Sequence, residues 1–371
     1  MIGIITFHGS HNHGSMLQAY ATQKALLNLG YENEIINFRM KSQKEYYALY
    51  QTKYGLMRFV RSLLLLPIHK ARNKREKKFE KFLNEKYVLS GKELETYEDL
   101  KTVNDKYDLY LSGSDQIWSD LIPELVGSDI DYSGVYFLDF VAKGKKKISY
   151  ASSIGETTLE NLQKKKHLLL DYSAISTREK TGSVILMKLL NKDVKTVLDP
   201  TLLLNKEDWK KIEGNRIIKE KYIFLYSLRG IRPGRKWAKH LKKLGKKTGY
   251  KIVCCSPFFP IISYGITCLV NVGPEDFINL IDYAEIVFTD SFHGTAFSIN
   301  MEKNFYSLTK ADSHDVRKID LMDSLGLSNR LLTSIDQINK LTDYQIDYTE
   351  PRRKLESLRE ESYQYLKNAI E

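Results

Sequence analysis

Residues 1–38 read MIGIITFHGSHNHGSMLQAYATQKALLNLGYENEIINF: an apolar run, a polar loop, an amphipathic run and a second apolar run. Positions 2–7 have the length and content of a buried strand, and 8–14 make a loop containing glycine. Ser15 is placed to cap a helix that continues to Leu29, with Gly30 to close it. On that helix Met16, Leu17, Tyr20 and Leu27 share one face, as a helix packed on a sheet requires. Positions 34–38 are again strand-like. This order predicts a βαβ unit with parallel strands. The helix start at Gly14 and Ser15 would aim backbone N–H groups above the first strand, a setting for an anion.

The same rhythm recurs along the chain. Strands are predicted at 107–111, 147–151, 174–176 and 196–198. They end in SGSDQIW (112–118), SSIG (152–155), Thr177-Arg178-Glu179 and Asp199-Pro200. In an open parallel sheet that carboxyl edge is where ligands bind. A second run of the pattern has strands at 222–227, 251–255, 286–289 and 305–308, a basic helix at 235–247, and helices at 275–283 and 294–301. The 371 residues suit two domains at roughly 150 residues each. The predicted fold class is α/β, with two Rossmann-like domains, 1–205 and 206–345, facing a cleft. A C-terminal helix at 346–371 packs back toward the N-terminal domain through Leu355, Leu358, Leu366 and Ala369. Residues 41–90 interrupt the rhythm and read as a basic helical insertion in the first domain, bent or ended at Pro67.

Hydrophobic residues at 42%, charged residues at 28% and only 8 prolines exclude a disordered or fibrous chain. No apolar run reaches the ~18 residues of a membrane span. The start lacks the basic n-region and cleavage site of a signal peptide. Cys254, Cys255 and Cys268 build neither a disulfide framework nor a metal knuckle, so a reduced, cytoplasmic protein is expected. The net charge is +11, and 41–81 alone, with 12 Lys/Arg and 3 Asp/Glu, carries +9 of it. Charge so concentrated argues against a nucleic-acid groove and for no nucleic-acid partner. In the same segment Leu56, Met57, Phe59, Val60 and Leu63 to Leu66 alternate with Arg58 and Arg61. That mixture suits peripheral contact with an anionic membrane. The competing reading packs the leucines in a core and leaves the lysines as a solvated helix face.

Among residues able to do chemistry, DSFHG (290–294) stands out. It follows an apolar strand and opens a helix, so His293 would sit beside helix N–H groups of Gly294 and Thr295, where an imidazole can meet an anionic substrate. The plainer alternative is a histidine that caps the helix. Ser114, Asp115 and Gln116 offer a hydroxyl, an acid and an amide on one loop, or else an Asx turn with Trp118 as core packing. Arg178, Arg229 and Arg317 each lie near a strand end or a loop-to-helix junction. Singly they read as surface residues; together they could clamp a phosphate or carboxylate. His8, His11 and His13 alternate in the first loop, but no Cys, Asp or Glu completes a metal set there. No metal is therefore expected. No Walker loop, GxGxxG, HExxH or nucleophile elbow is present.

Several motifs in order carry a family resemblance. They are Thr6-Phe7-His8 followed by NHGSMLQAYA (12–21), GSDQIW (113–118), SYASSIG (149–155), STREKTG (176–182), LDPTLLL (198–204), VGPEDF (272–277) and TDSFHGTAFS (289–298). The set resembles the polysaccharide pyruvyl transferase family. The resemblance implies a fold similar to GT-B glycosyltransferases, with the acceptor on the N-terminal and the donor on the C-terminal domain. It implies transfer from phosphoenolpyruvate to two hydroxyls of a sugar, forming a pyruvate ketal on a surface polysaccharide or its lipid-linked precursor, with no cofactor. His293 aligns with the family's histidine and would exchange the protons. Family members often carry arginine where Ser291 stands, so the donor's cation would come from Arg178, Arg229 or Arg317, with Ser291, Gly294 and Thr295 alongside. The acceptor would meet His8, Asn12, His13, Gly14, Ser114, Asp115 and Gln116. A lipid-linked acceptor would bring a cytoplasmic enzyme to the inner face of the membrane. Two other readings remain: a GT-B-like glycosyltransferase using a nucleotide sugar, and an inactive polysaccharide-binding module.

Overall fold

A computed structural model describes residues 1–48, 60, 63, 65–120, 133–228, 231–255, 265–309 and 315–371. They divide into two compact units. The first holds the described residues of 1–59, 83–204 and 357–371; the second holds those of 60–82 and 205–356.

In the first unit β1 (Ile2–Ile5), β2 (Asn33–Ile35), β3 (Leu109–Ser112) and β4 (Lys146–Ser149) form a parallel sheet in the order β2-β1-β3-β4. Ile4 lies opposite Ile35 on one side and Leu111 on the other. β5 (Ile175–Thr177) and β6 (Val194–Thr196) pair in parallel, and bridges Ile148–Ala174 and Ser152–Thr177 link them onto β4. Every residue of β1 is buried, as in a sheet covered on both faces. The core gathers Ile5, Phe7, Tyr110, Trp118, Tyr136, Leu162 and Leu186. Trp118 stacks on Phe137 and donates its indole N–H to the Tyr136 carbonyl at 2.9 Å, so it is packing.

The helix after β1 runs His13–Asn28 and begins earlier than the sequence suggests. Asn12, not Ser15, is its N-cap. From His13 to Gln23 every residue is buried, because the helix also packs against the short helix Pro200–Leu203. Leu27 is 40% exposed and stands off the expected face.

In the second unit β7 (Tyr222–Tyr226), β8 (Lys251–Cys255), β9 (Thr267–Leu269), β10 (Ile286–Thr289), β11 (Phe305–Leu308) and β12 (Leu331–Leu332) form a second parallel sheet. Its order is β12-β11-β10-β7-β8-β9. The edge strands β9 and β12 have three and two residues, too short to show a pattern in the sequence. Trp237, Leu241, Phe288 and Tyr306 fill one face, while Phe277 and Phe297 pack edge to face elsewhere in the unit. Cys254 faces Cys268 across β8 and β9, and no disulfide joins the described cysteines.

The described residues of 60–82 belong to the second unit, whereas the sequence places all of 41–90 in the first. The reason is local. In the helix His69–Lys86, the Lys78 ammonium meets the Asp276 carboxylate at 2.6 Å, and a side chain at Gly273 would strike Lys78. The helix Thr349–Ile370 starts in the second unit, and its residues from Ser357 belong to the first. There Arg359 donates to the Leu202 carbonyl at 2.6 Å, Ser362 accepts from the Leu198 N–H at 3.0 Å, and Tyr365 donates to the Ser149 carbonyl at 2.8 Å. Among the described residues no helix is long and apolar enough to cross a membrane, and no three His, Cys, Asp or Glu are grouped to hold a metal.

Candidate functional site

In the second unit the candidate residues gather where β10 ends. The Asp290 carboxylate accepts from the Ser227 hydroxyl at 2.5 Å and the Leu228 N–H at 2.8 Å, tying the ends of β7 and β10 together. Ser291 then caps the helix Phe292–Asn300. His293 is the second residue of that helix, 8% exposed, with its ring edge-on to Phe292. Gly294 fits because its helix presses on β10: a Cβ there would lie 2.3 Å from the Thr289 hydroxyl. The Arg317 guanidinium lies 5.8 Å from the centre of the Phe292 ring, next to His293 in the chain.

Two expectations for this loop fail. The Gly294 N–H donates to the Ser291 side chain at 3.4 Å, and the Thr295 N–H to the Ser291 carbonyl at 3.1 Å. The Thr295 hydroxyl is shared between that carbonyl and Ser307. These groups hold the helix start together and are not turned outward to an anion, because the helix begins two residues before Gly294. The sequence reading also missed Lys318. Its buried ammonium donates to the carbonyls of Asp290 at 2.8 Å and Leu308 at 2.6 Å and pairs with Asp315 at 2.8 Å. It pins the chain at the ends of β10 and β11.

In the first unit the residues meet at the ends of β1, β3 and β5. Gly113 has φ 137°, and a Cβ there would overlap the Tyr150 carbonyl at 2.0 Å, so the turn requires glycine. Asp115 follows at φ 79°, a left-handed conformation uncommon for a residue with a side chain. Its carboxylate accepts from Ser15 at 2.6 Å and the Gln116 N–H at 2.9 Å, and faces Arg178 at 3.5 Å. Ser114 is consumed by structure: its hydroxyl donates to Ala151, its N–H to Gln18, and its carbonyl accepts from Thr6. The Gln116 side chain lies against Gly155.

Arg178 is not placed as an anion clamp. Its side chain is 1% exposed and pairs with Asp199 at 2.7 Å. Burial works against its charge, but Asp199, Asp115 and Glu179 outweigh that and raise its pKa. Asp199 divides its carboxylate between this guanidinium and Thr201, whose N–H and hydroxyl it accepts. The sequence places Asp115 and Asp199 at strand ends but does not show that either pairs with Arg178.

The first loop departs from expectation in the same way. The Asn12 side chain accepts from the Gly14 N–H at 3.0 Å, so that N–H caps the helix and is not offered to an anion. His8 is fully buried between the Asn37 side chain and the Thr6 carbonyl. Burial outweighs those partners and lowers its pKa to about 4, so near neutral pH it is an uncharged interior group. His13 is buried, and His11 is buried beside Tyr47. Arg229 falls outside the described residues.

Two units, each built on a parallel sheet with its polar residues at the carboxyl edge, give an α/β fold of the GT-B kind. The fold is similar to UDP-N-acetylglucosamine 2-epimerase from Rickettsia bellii, with TM-score 0.54, 9% identity, and 99% of this chain and 95% of that one covered. It is also similar to UDP-GlcNAc 2-epimerase from Neisseria meningitidis bound to UDP-GlcNAc, with TM-score 0.54, 10% identity, and 100% and 98% covered. The enzyme from Methanocaldococcus jannaschii gives TM-score 0.51, 12% identity, and 98% and 99% covered. At these identities the likeness is one of fold. No curated protein sequence matches the chain. The polysaccharide pyruvyl transferase family model matches residues 12–310, and the chain belongs to that family of transferases.

Proposed function

We propose that the protein transfers the three-carbon unit of phosphoenolpyruvate to two hydroxyls of one sugar in a surface polysaccharide or its lipid-linked precursor, releasing phosphate. The observation that carries this reading is the family match over 12–310, with His293 in the first turn of the helix that follows β10. In the proposed reaction His293 donates a proton to the methylene carbon of the donor. The cationic neighbouring carbon takes up one sugar hydroxyl, the bond to phosphate breaks, and the second hydroxyl closes the ketal. One hydroxyl proton returns to the histidine and the other leaves with phosphate, so the balance closes without a redox step. Asp115, held by Ser15 and Arg178, is the carboxylate we assign to an acceptor hydroxyl. Arg317 becomes the leading donor cation, with Arg229 as the second; Arg178 becomes a positioning residue. With a lipid-linked acceptor, the enzyme would work from the cytoplasm at the inner face of the membrane.

The test is a donor screen with sugar diols, reading phosphate released from phosphoenolpyruvate against nucleotide released from nucleotide sugars. Phosphate release is expected. His293→Asn should lower kcat about 100- to 10,000-fold with little change in donor KM, and Arg317→Ala should raise donor KM. Nucleotide release alone would make the protein a glycosyltransferase. Polysaccharide binding with neither release would make it an inactive binding module.

A further inference from the structure

The basic segment takes a definite form in the described residues. The helix His69–Lys86 carries eight Lys/Arg and three Glu. Its exposed lysines are Lys70, Lys74, Lys77 and Lys81. At 3.6 residues per turn these four lie within about 60° of one another, a single stripe along the helix. Phe79, Phe82 and Leu83 are buried on the side away from it. Other basic groups are turned to the body of the protein: Lys78 to Asp276 at 2.6 Å, and Arg75 over the Phe79 ring at 4.2 Å. Just before the helix, Val60, Leu63 and Leu66 are 46%, 44% and 50% exposed. A lone exposed aliphatic needs no explanation, but three within seven residues of chain leading directly into the lysine-bearing helix do.

We propose that this surface docks the protein on an anionic lipid bilayer, with the four lysines on the headgroup phosphates and the aliphatics at the acyl boundary. The two halves of the surface select this partner together. A nucleic acid or acidic protein would match the lysines and leave the aliphatics in water. An apolar protein groove would match the aliphatics and strand the lysines. The inference is independent of which donor and acceptor the enzyme uses.

The experiment is co-sedimentation of the full chain with vesicles of phosphatidylcholine alone, or with about one-third phosphatidylglycerol. Binding is expected to the anionic vesicles and is weakened by salt. Each Lys→Gln change in the stripe should lower partitioning about five-fold, and the quadruple change on the order of several hundred-fold. Leu63→Ser with Leu66→Ser should weaken binding but keep the preference for anionic lipid. Lys239→Gln, Lys243→Gln and Lys246→Gln, on the exposed face of the helix Ile231–Thr248, remove lysines elsewhere and should leave binding unchanged. Unaltered melting temperatures establish that the variants fold. The proposal is overturned by absence of wild-type binding, by a quadruple variant that binds like wild type, by an equal loss in the second lysine set, or by capture of a soluble polyanion without capture of vesicles.

Discussion

His8 shows how an interior position decides what a histidine can do. Its ring lies between Asn37 and Thr6, and burial holds its pKa near 4 against an ordinary value of 6.5. The folded state therefore resists a proton that the unfolded chain accepts. As pH falls below about 6.5 the unfolded state gains protons first, and stability falls until the folded ring itself titrates near 4. The stabilisation is complete above the unfolded pKa and lost on the acid side. Across that window the loss is about 3 kcal/mol. His8→Gln removes the titration, so urea unfolding at pH 7 and pH 4.5 should show a steeper loss for wild type than for the variant. Equal slopes would show that His8 does not carry this penalty. The same burial removes His8 as an alternative proton donor near neutral pH.

At the scale of the element, the helix Phe292–Asn300 is fixed by its contact with β10. Gly294 allows that contact, since a methyl there would come 2.3 Å from the Thr289 hydroxyl. Gly294→Ala should therefore destabilise by about 1–3 kcal/mol, despite the better helix propensity of alanine. With Thr289→Ala already in place the closest contact is gone, leaving the Thr289 Cβ and the Tyr226 ring at 3.0 Å, and the same substitution should cost less. Equal costs in both backgrounds, read by thermal unfolding, would contradict the packing account. The helix itself was legible: an apolar run followed by TDSFHG predicts a strand, a turn and a helix start. What could not be read was which N–H groups the start consumes. Asn12 and Ser291 both act as caps ahead of the helix starts the sequence suggests, and each takes the N–H of a glycine that the sequence places facing an anion. Arg178 was opaque for another reason. Its partners Asp115 and Asp199 come from other strand ends, and no local spacing reveals a pairing made by the sheet. The two parallel sheets were legible because their central strands are continuous apolar runs, whereas β9 and β12 are too short to carry a period.

At the scale of the whole molecule, the chain does not finish one unit before it begins the other. The described residues of 60–82 join the second unit from within the sequence of the first, and residues from Ser357 onward return to the first. That return is anchored by side chains as well as by burial. Arg359 and Ser362 bond to the backbone of 198–204, Tyr365 bonds to the end of β4, and Leu366 and Ala369 are buried. The last helix is thus bonded to the end of β4 and to the segment after β6, while the second unit's sheet makes none of these contacts. Leu366→Ala should cost about 2–5 kcal/mol, the range for a large-to-small change in a packed interior. Removal of 357–371 should cost more, because it also leaves the Leu202 carbonyl and the Leu198 N–H without these partners. Hydrogen exchange followed by unit is the decisive measurement. In the shortened protein β1, β3 and β4 should lose protection while β7, β10 and β11 keep theirs. A uniform loss across both sheets would show that the two units unfold as one, and retention in both would show that the helix contributes little to the sheet it touches.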